Sequence, residues 1–361
     1  MKIGLILDPY GEQAPAGLAR ASLEIARALI EHHRDLEFFV YTKGNQQQTL
    51  PFTGDNWSSH PLGSGSVFLA SIPERDGINC LVSLTPVLPL FIPRIPRVVV
   101  ALDFAYRSFS RGMRERVRSA VLRFVHGYSF HRATKIIAIS NYTAGELARY
   151  HGSACDKVVV IHEGFTPTVP QNIGSRTEAR EKKTILSVSV IKERKNTLGI
   201  IEGFARYRRR QPDSVLRLVL VGKGSGTYLE RIKTAIREHK LENFVTLAGF
   251  VPGEAFASYY ADACVFVYPS FIEGFGMPIL EAMQAGVPVI TSRGGATEEV
   301  AGGAAVLVDA DDPETIADAI ESVTKNDALR LELVRLGLER AKCFSWANAA
   351  DRYAEVIKAL L

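Results

Sequence analysis

Short runs of consecutive apolar residues recur along the chain, separated by longer stretches whose apolar residues return at helical spacing. In the first half the runs cover residues 2–7, 38–41, 80–83, 98–102 and 135–139. A second series covers residues 184–190, 216–221, 245–247, 264–268, 288–291 and 305–308. Uninterrupted apolar runs predict strands buried on both faces, and the helical patterns between them, such as Leu23 to Ile30 or Leu198, Ile201 and Phe204, predict crossovers. The alternation predicts an α/β protein with two doubly wound, Rossmann-like halves.

The chain has 361 residues, more than twice the usual domain size of roughly 100 to 150 residues, so two cores are expected. Residues 163–183, with Pro167, Pro170 and Gly174 among polar neighbours, read as a linker. The expected domains are residues 1–165 and 180–344, with an amphipathic last helix at about 345–361 returning to the first. Ligands of open parallel sheets bind beyond the carboxyl ends of the strands, so residues just after strands are the first candidates for a site.

Composition adds little that is specific. The chain is 47% hydrophobic and 23% charged, as in ordinary folded proteins, and its net charge of +4 favours anionic partners only mildly. Cys80, Cys155, Cys264 and Cys343 show no paired or ligand spacing, which predicts a reducing, cytoplasmic setting. The eight histidines show no metal pattern. Gly222-Lys223-Gly224-Ser225-Gly226 has neither the P-loop nor the dinucleotide order and reads as a glycine turn. Basic runs without interleaved stacking aromatics give no case for nucleic acid.

The segment with most chemistry follows the run at 264–268. Pro269-Ser270 stops the strand, and Glu273-Gly274-Phe275-Gly276-Met277-Pro278 leads into a helix starting near Ile279. Amides at a helix N-terminus attract anions and hydroxyls, and glycines let the backbone approach a ligand. Glu273 and Glu281 bracket that surface; acidic residues near the positive end of a capped helix would look the same. A second cluster, Lys192-Glu193-Arg194-Lys195-Asn196, follows the run at 184–190, where cations suit a diphosphate and a solvated basic turn is the other reading. Asp103 follows the run at 98–102 and reads as a cleft residue or as a strand-end cap. Arg107, Arg111, Arg114 and Arg118 are spaced to share one helix face, with Met113, Val117, Val121 and Phe124 as the opposing apolar stripe. That face reads as a contact for anionic headgroups or a polyprenyl pyrophosphate, or as an ordinary solvated surface. Arg206, Arg208, Arg209 and Arg210 read as a solvated helix end.

Glu273 to Glu281 resembles the E-x7-E motif of the family 4 retaining glycosyltransferases, which have the GT-B fold of two Rossmann-like domains facing a cleft. The similarity extends through Ala261 to Ser270 before the motif and Glu281 to Ile290 after it, and includes Glu298 to Gly302 and Phe344-Ser345-Trp346. The resemblance implies that Glu273 lies against the donor sugar, that the amides of Gly274, Phe275, Gly276 and Met277 hold hydroxyls and phosphate, and that Glu281 binds the ribose. It implies that Arg194 and Lys195 bind the diphosphate, Arg194 replacing the guanidinium of the family's Gly-Arg, since Ser189-Val190 stands there. Gly17 would lie near the diphosphate and acceptor, and the base near Phe250-Val251-Pro252. Relatives often read His-Asp where this chain reads Leu102-Asp103, so Asp103 or another group must replace the histidine.

The whole pattern is most similar to bacterial mannosyltransferases of O-antigen and exopolysaccharide assembly. That implies GDP-mannose as donor, a glycan or polyprenyl-pyrophosphate-linked acceptor, no metal or other cofactor, and a cytoplasmic place at the inner face of the membrane. The alternatives are transfer from another GDP- or UDP-sugar, a sugar-nucleotide epimerase, a nicotinamide oxidoreductase and a non-catalytic sugar-binding relative; the absent dinucleotide fingerprint counts against the oxidoreductase.

Overall fold

The computed structural model describes residues 1–7, 18–42, 50–62, 65–108, 112–167, 182–251 and 254–361. Gly17, Arg111, Pro170, Gly174 and Pro252, singled out above, lie outside them. The chain divides into two compact units, residues 1–165 with 344–361, and residues 166–343.

The first unit is a seven-stranded parallel sheet in the order β3-β2-β1-β4-β5-β6-β7. Its strands are β1 (Lys2–Leu7), β2 (Glu37–Thr42), β3 (Trp57–Pro61), β4 (Cys80–Ser83), β5 (Arg97–Ala101), β6 (Lys135–Ala138) and β7 (Val158–Val160). Its helices are α1 (Leu18–His32), α2 (Met113–Arg132) and α3 (Asn141–Tyr150). The apolar runs predicted the strands from β1 to β6 except β3, and missed both edges. Trp-Ser-Ser-His-Pro in β3 is polar because an edge strand has one flank in water, and β7 is only three residues long.

The second unit is a six-stranded parallel sheet in the order β10-β9-β8-β11-β12-β13. Its strands are β8 (Thr184–Val188), β9 (Arg217–Val221), β10 (Val245–Gly249), β11 (Ala263–Tyr268), β12 (Val289–Ser292) and β13 (Ala305–Val308). Its helices are α4 (Thr197–Arg210), α5 (Gly226–Glu238), α6 (Glu254–Ala261), α7 (Met277–Gln284), α8 (Ala296–Ala301), α9 (Pro313–Lys325) and α10 (Asp327–Ala341). Every strand corresponds to an apolar run, because here the sheet is covered on both faces by helices. Strand order reverses between β8 and β11, which makes their carboxyl ends the topological switch point.

The last helix, α11 (Trp346–Lys358), belongs to the first unit and packs on α1. Ala349, Ala350, Tyr353, Ala354 and Ile357 form its buried stripe, and Lys358 pairs with Asp35 at 2.6 Å. The Ser345 hydroxyl caps it by accepting from the Asn348 amide at 3.1 Å.

Three expectations are corrected. Arg107 is not on α2; it sits in the separate 3-10 turn Ala105–Arg107, its guanidinium 4.2 Å over the Tyr150 ring and 3.1 Å from His151 Nε2. The stripe of Met113, Val117, Val121 and Phe124 is exposed, and α2 turns Ser119, Val125, His126, Ser129 and Phe130 to the core instead. The basic end of α4 is not simply solvated, since Arg206 pairs with Glu314 at 2.7 Å, Arg210 with Asp318 at 2.6 Å, and Arg208 stacks 3.6 Å over Phe244. No helix among the described residues is long and apolar enough to cross a membrane, and all four cysteines are free thiols.

Candidate functional site

The switch point of the second sheet gathers the two clusters singled out from sequence. After β8, the short turn Glu193–Lys195 carries Arg194 and Lys195; after β11, the loop descends to Glu273 and then α7. The loops are joined by the Phe271 amide donating to the Arg194 carbonyl at 2.9 Å. Asn196 fixes the first loop. It holds a left-handed φ of 55°, its Oδ1 accepts from the Gly199 amide at 3.2 Å, and its Nδ2 donates to the carbonyls of Ala310 at 2.6 Å and Pro269 at 3.2 Å. One side chain therefore caps α4 and ties the ends of three strands together. Asparagine tolerates this backbone better than most residues, which gives the third position of Arg-Lys-Asn a structural reason.

Glu273 is buried and held by both cations. Arg194 Nη1 donates to its Oε2 at 3.1 Å, Lys195 Nζ donates to its Oε1, and the Tyr268 hydroxyl donates to Oε1 at 3.0 Å. Lys195 Nζ also donates to the Tyr268 hydroxyl at 2.7 Å. Desolvation would push the Glu273 carboxyl up, but Lys195 and Arg194 outweigh it and hold the group below its ordinary value, so it is a carboxylate. Desolvation beside that carboxylate pushes the Tyr268 phenol up, keeping it a neutral donor. Arg194 also bonds the Ile272 carbonyl at 3.2 Å, so the loop backbone and the guanidinium position each other.

Gly274, Phe275 and Gly276 are buried, and Gly276 enters α7 at φ 114°, a conformation that needs glycine. No side chain caps α7. Glu281 lies in its second turn, 7% exposed, with Oε2 accepting from the Tyr260 hydroxyl at 2.8 Å. Val251 is half-buried just beyond β10, two strands from β8, and Phe250 beside it is 62% exposed.

Two of these contacts were not anticipated. Tyr268 falls in a predicted strand and Tyr260 outside every segment singled out, and only folding brings their hydroxyls to Glu273 and Glu281. The absence of any other hydroxyl or amide side chain in 264–268 was the one available signal for Tyr268.

In the first unit, Asp103 Oδ1 accepts from the Ala105 amide at 3.1 Å, the strand-end capping alternative. Leu102 lines a cavity of about 10 Å³ with Ser22, Leu84, Glu163, Trp346 and Tyr353, barely room for one water. The Glu163 carboxyl there belongs to the first unit rather than to the expected linker 163–183. Desolvation pushes it up to about 7 from 4.5. A carboxyl whose folded value is raised contributes stability while protonated and loses it as pH climbs from 4.5 through about 7. Glu163→Gln therefore melts with wild type at about pH 4 and about 5–10 °C above it at pH 8. A gap between the two proteins that is the same at both pH values would disprove a desolvated carboxyl.

Among the described residues no cluster of His, Cys, Asp and Glu could hold a metal ion. Comparison with known proteins matches part of the chain to a family. Residues 170–339 match the family described as "Glycosyl transferases group 1". The chain is 29% identical over 240 residues to an O-antigen chain mannosyltransferase B of Escherichia coli, covering 64% of this chain and 62% of that protein. It is 30% identical over 241 residues to a D-inositol 3-phosphate glycosyltransferase of Paenarthrobacter aurescens, covering 63% and 59%. The matched region thus spans about 60% of the length of these relatives. Sucrose-phosphate synthase from Thermosynechococcus elongatus superposes with a TM-score of 0.76 at 20% identity, covering 99% of this chain and 98% of that one. The two parallel-sheet, Rossmann-like units share the GT-B fold of that structure. The Arg-Lys-Asn turn and the Glu273 loop, which meet at the switch point, both lie inside the matched segment, so residues 170–339 carry a domain of the group 1 glycosyl transferases.

Proposed function

We propose that the protein is a retaining glycosyltransferase that moves mannose from GDP-mannose to a glycan or a lipid-linked saccharide in cell-surface polysaccharide synthesis. The observation that carries the reading is the buried Glu273 carboxylate held between Arg194 and Lys195 at the β8/β11 switch point. On this reading, the two cations also meet the diphosphate and stabilise the charge that grows on it as the glycosidic bond breaks. Glu273 orients both cations and accepts from sugar hydroxyls. Ionised and below its ordinary value, it suits acceptance rather than proton donation. Retention follows from attack on the face that the diphosphate leaves, with a phosphate oxygen taking the acceptor proton.

Glu281, fixed by Tyr260, takes the ribose hydroxyls, the amides of Gly274 to Met277 take phosphate and sugar oxygens, and the base lies near Val251. No metal is required, because side-chain cations and helix amides supply the positive charge. The mannosyl donor is supported by the likeness to the O-antigen chain mannosyltransferase; the inositol 3-phosphate relative shows that the family spans other substrates.

A thermal-shift panel of GDP, UDP, ADP and their sugars tests the donor. GDP and GDP-mannose at about a hundredfold over Kd should raise Tm by about 5–10 °C. Stabilisation by a UDP compound alone would refute GDP-mannose and keep a nucleotide-sugar site. No shift with any nucleotide would refute the site itself.

A further inference from the structure

α2 leaves a stripe of large apolar side chains in water. At about 100° per residue, Met113, Val117, Val121 and Phe124 fall on one face, and they are 76%, 57%, 55% and 67% exposed. The opposite face, turned to the core, buries Val125 and Phe130 beside polar groups that are satisfied by hydrogen bonds. Ser119 Oγ donates to the Tyr106 carbonyl at 2.8 Å, His126 Nδ1 lies 3.2 Å from the Tyr106 hydroxyl, and Ser129 Oγ accepts from the Leu88 amide at 2.9 Å. A helix that spends hydrogen bonds on seating its polar side and leaves its large apolar side in water is shaped for something outside the unit.

The apolar ridge continues beyond the helix. Phe68 packs edge-on against Phe124 at 6.2 Å and Tyr128 at 5.4 Å, and the Leu90 amide donates to the Phe68 carbonyl at 2.8 Å. Beside them Leu69 is 68% and Phe91 65% exposed. These two with the four of α2 make six of the twelve exposed large hydrophobics among the described residues, so the exposure is concentrated in one region.

Charge names the partner. On the helical wheel, Arg114 and Arg118 flank the ridge on one side and Arg116 and Arg123 on the other, all exposed, and Glu115 is the only acid in α2. Residues 84–101 add Arg94 and Arg97 and no acid. A second copy of the chain would set these arginines against their own counterparts, since a two-fold interface repeats the same patch on both sides. A nucleic acid would match the arginines but leave the aliphatic ridge unused. A bilayer with anionic headgroups satisfies both, because the ridge enters the headgroup layer while arginines on either side reach phosphates along their own stems.

We propose that the outer face of α2, with Leu69 and Phe91, is an interfacial docking surface for an anionic lipid bilayer. It deepens the lipid-linked acceptor reading above by naming the surface that brings the protein to the bilayer. It involves none of the donor-site residues, so its test stands whether or not glycosyl transfer is demonstrated.

The experiment is flotation of the full chain with vesicles of phosphatidylcholine alone or of equal parts phosphatidylcholine and phosphatidylglycerol. The chain should float with the mixed vesicles and not with the neutral ones, and release as salt rises. Phe124→Ser with Val121→Ser should weaken binding about tenfold or more, and Arg118→Gln with Arg123→Gln by about tenfold on anionic vesicles. Both pairs are exposed, so unchanged melting curves separate lost docking from lost folding. Equal recovery with neutral and anionic vesicles, no flotation with either, or undiminished binding by both variants would overturn the proposal. A dimer in solution that Phe124→Ser disperses would also overturn it, assigning the face to a second copy.

Discussion

Glu273→Gln should lower the melting temperature of the second unit by about 5–15 °C at pH 7 and reduce glycosyl transfer by at least about two orders of magnitude. The carboxylate is 8% exposed and is the charge partner of Lys195, itself 9% exposed, and of Arg194. Removing one member of such a cluster leaves cations buried without a counter-charge, which costs about 3–5 kcal/mol. From sequence, the same substitution would be expected to leave the fold intact, as for a side chain reaching only for substrate. Burial changes that expectation.

The pH dependence gives a second reading of the same variant. Glu273 is held below its ordinary value, so it contributes stability above about pH 4.5 that is lost as pH falls through the lowered folded value. The gap between wild type and Glu273→Gln should close in acid. Lys195→Met combined with Glu273→Leu should recover much of the lost stability and none of the activity, because replacing a whole buried pair costs less than removing one partner. If Glu273→Gln melts like wild type at pH 7, or the gap ignores pH, the cluster is not what holds these loops.

Gly164→Ala should destabilise the first unit by about 3 kcal/mol or more and loosen the C-terminal segment. A Cβ there would lie 2.3 Å from the Trp346 backbone nitrogen and 2.6 Å from the Ser345 carbonyl carbon. Both neighbours are backbone, so no rotamer change can make room. Ser345 caps α11, and the Phe344 ring packs edge-on against His162 at 5.8 Å, so displacing this backbone disturbs both the cap and the return of the chain. Limited proteolysis should release residues 344–361 from the variant faster than from wild type. Gly145→Ala in α3, where a Cβ would meet nothing within 4 Å, is the control and should be neutral or slightly stabilising. Equal melting of Gly164→Ala and wild type would show that this contact is looser than its geometry.

The cores, the strands of both sheets apart from two edges, and the loops that bear the site are legible in the sequence for one reason. A strand covered on both faces must be apolar throughout, and a loop after it must carry whatever chemistry the sheet presents. Arg194, Lys195 and Glu273 are visible as chemistry because charged residues directly after buried strands have few other reasons to be there. Asn196 is visible as a residue but not as a brace, since Ala310 and Pro269 are far from it along the chain.

What only the tertiary structure decided is which of those groups meet, and which way each face turns. Periodicity places Met113, Val117, Val121 and Phe124 on one face, but whether that face is buried depends on what the rest of the unit offers, and here Tyr106 and Leu88 satisfy its polar opposite. The protonation of Glu163 and Glu273 was likewise decided by surroundings. Two carboxyls of the same intrinsic acidity part because one is desolvated without a cation and the other lies against two cations. Sequence determines which groups are present and where the chain must be buried; folding sets the distances and the dielectric on which charge depends.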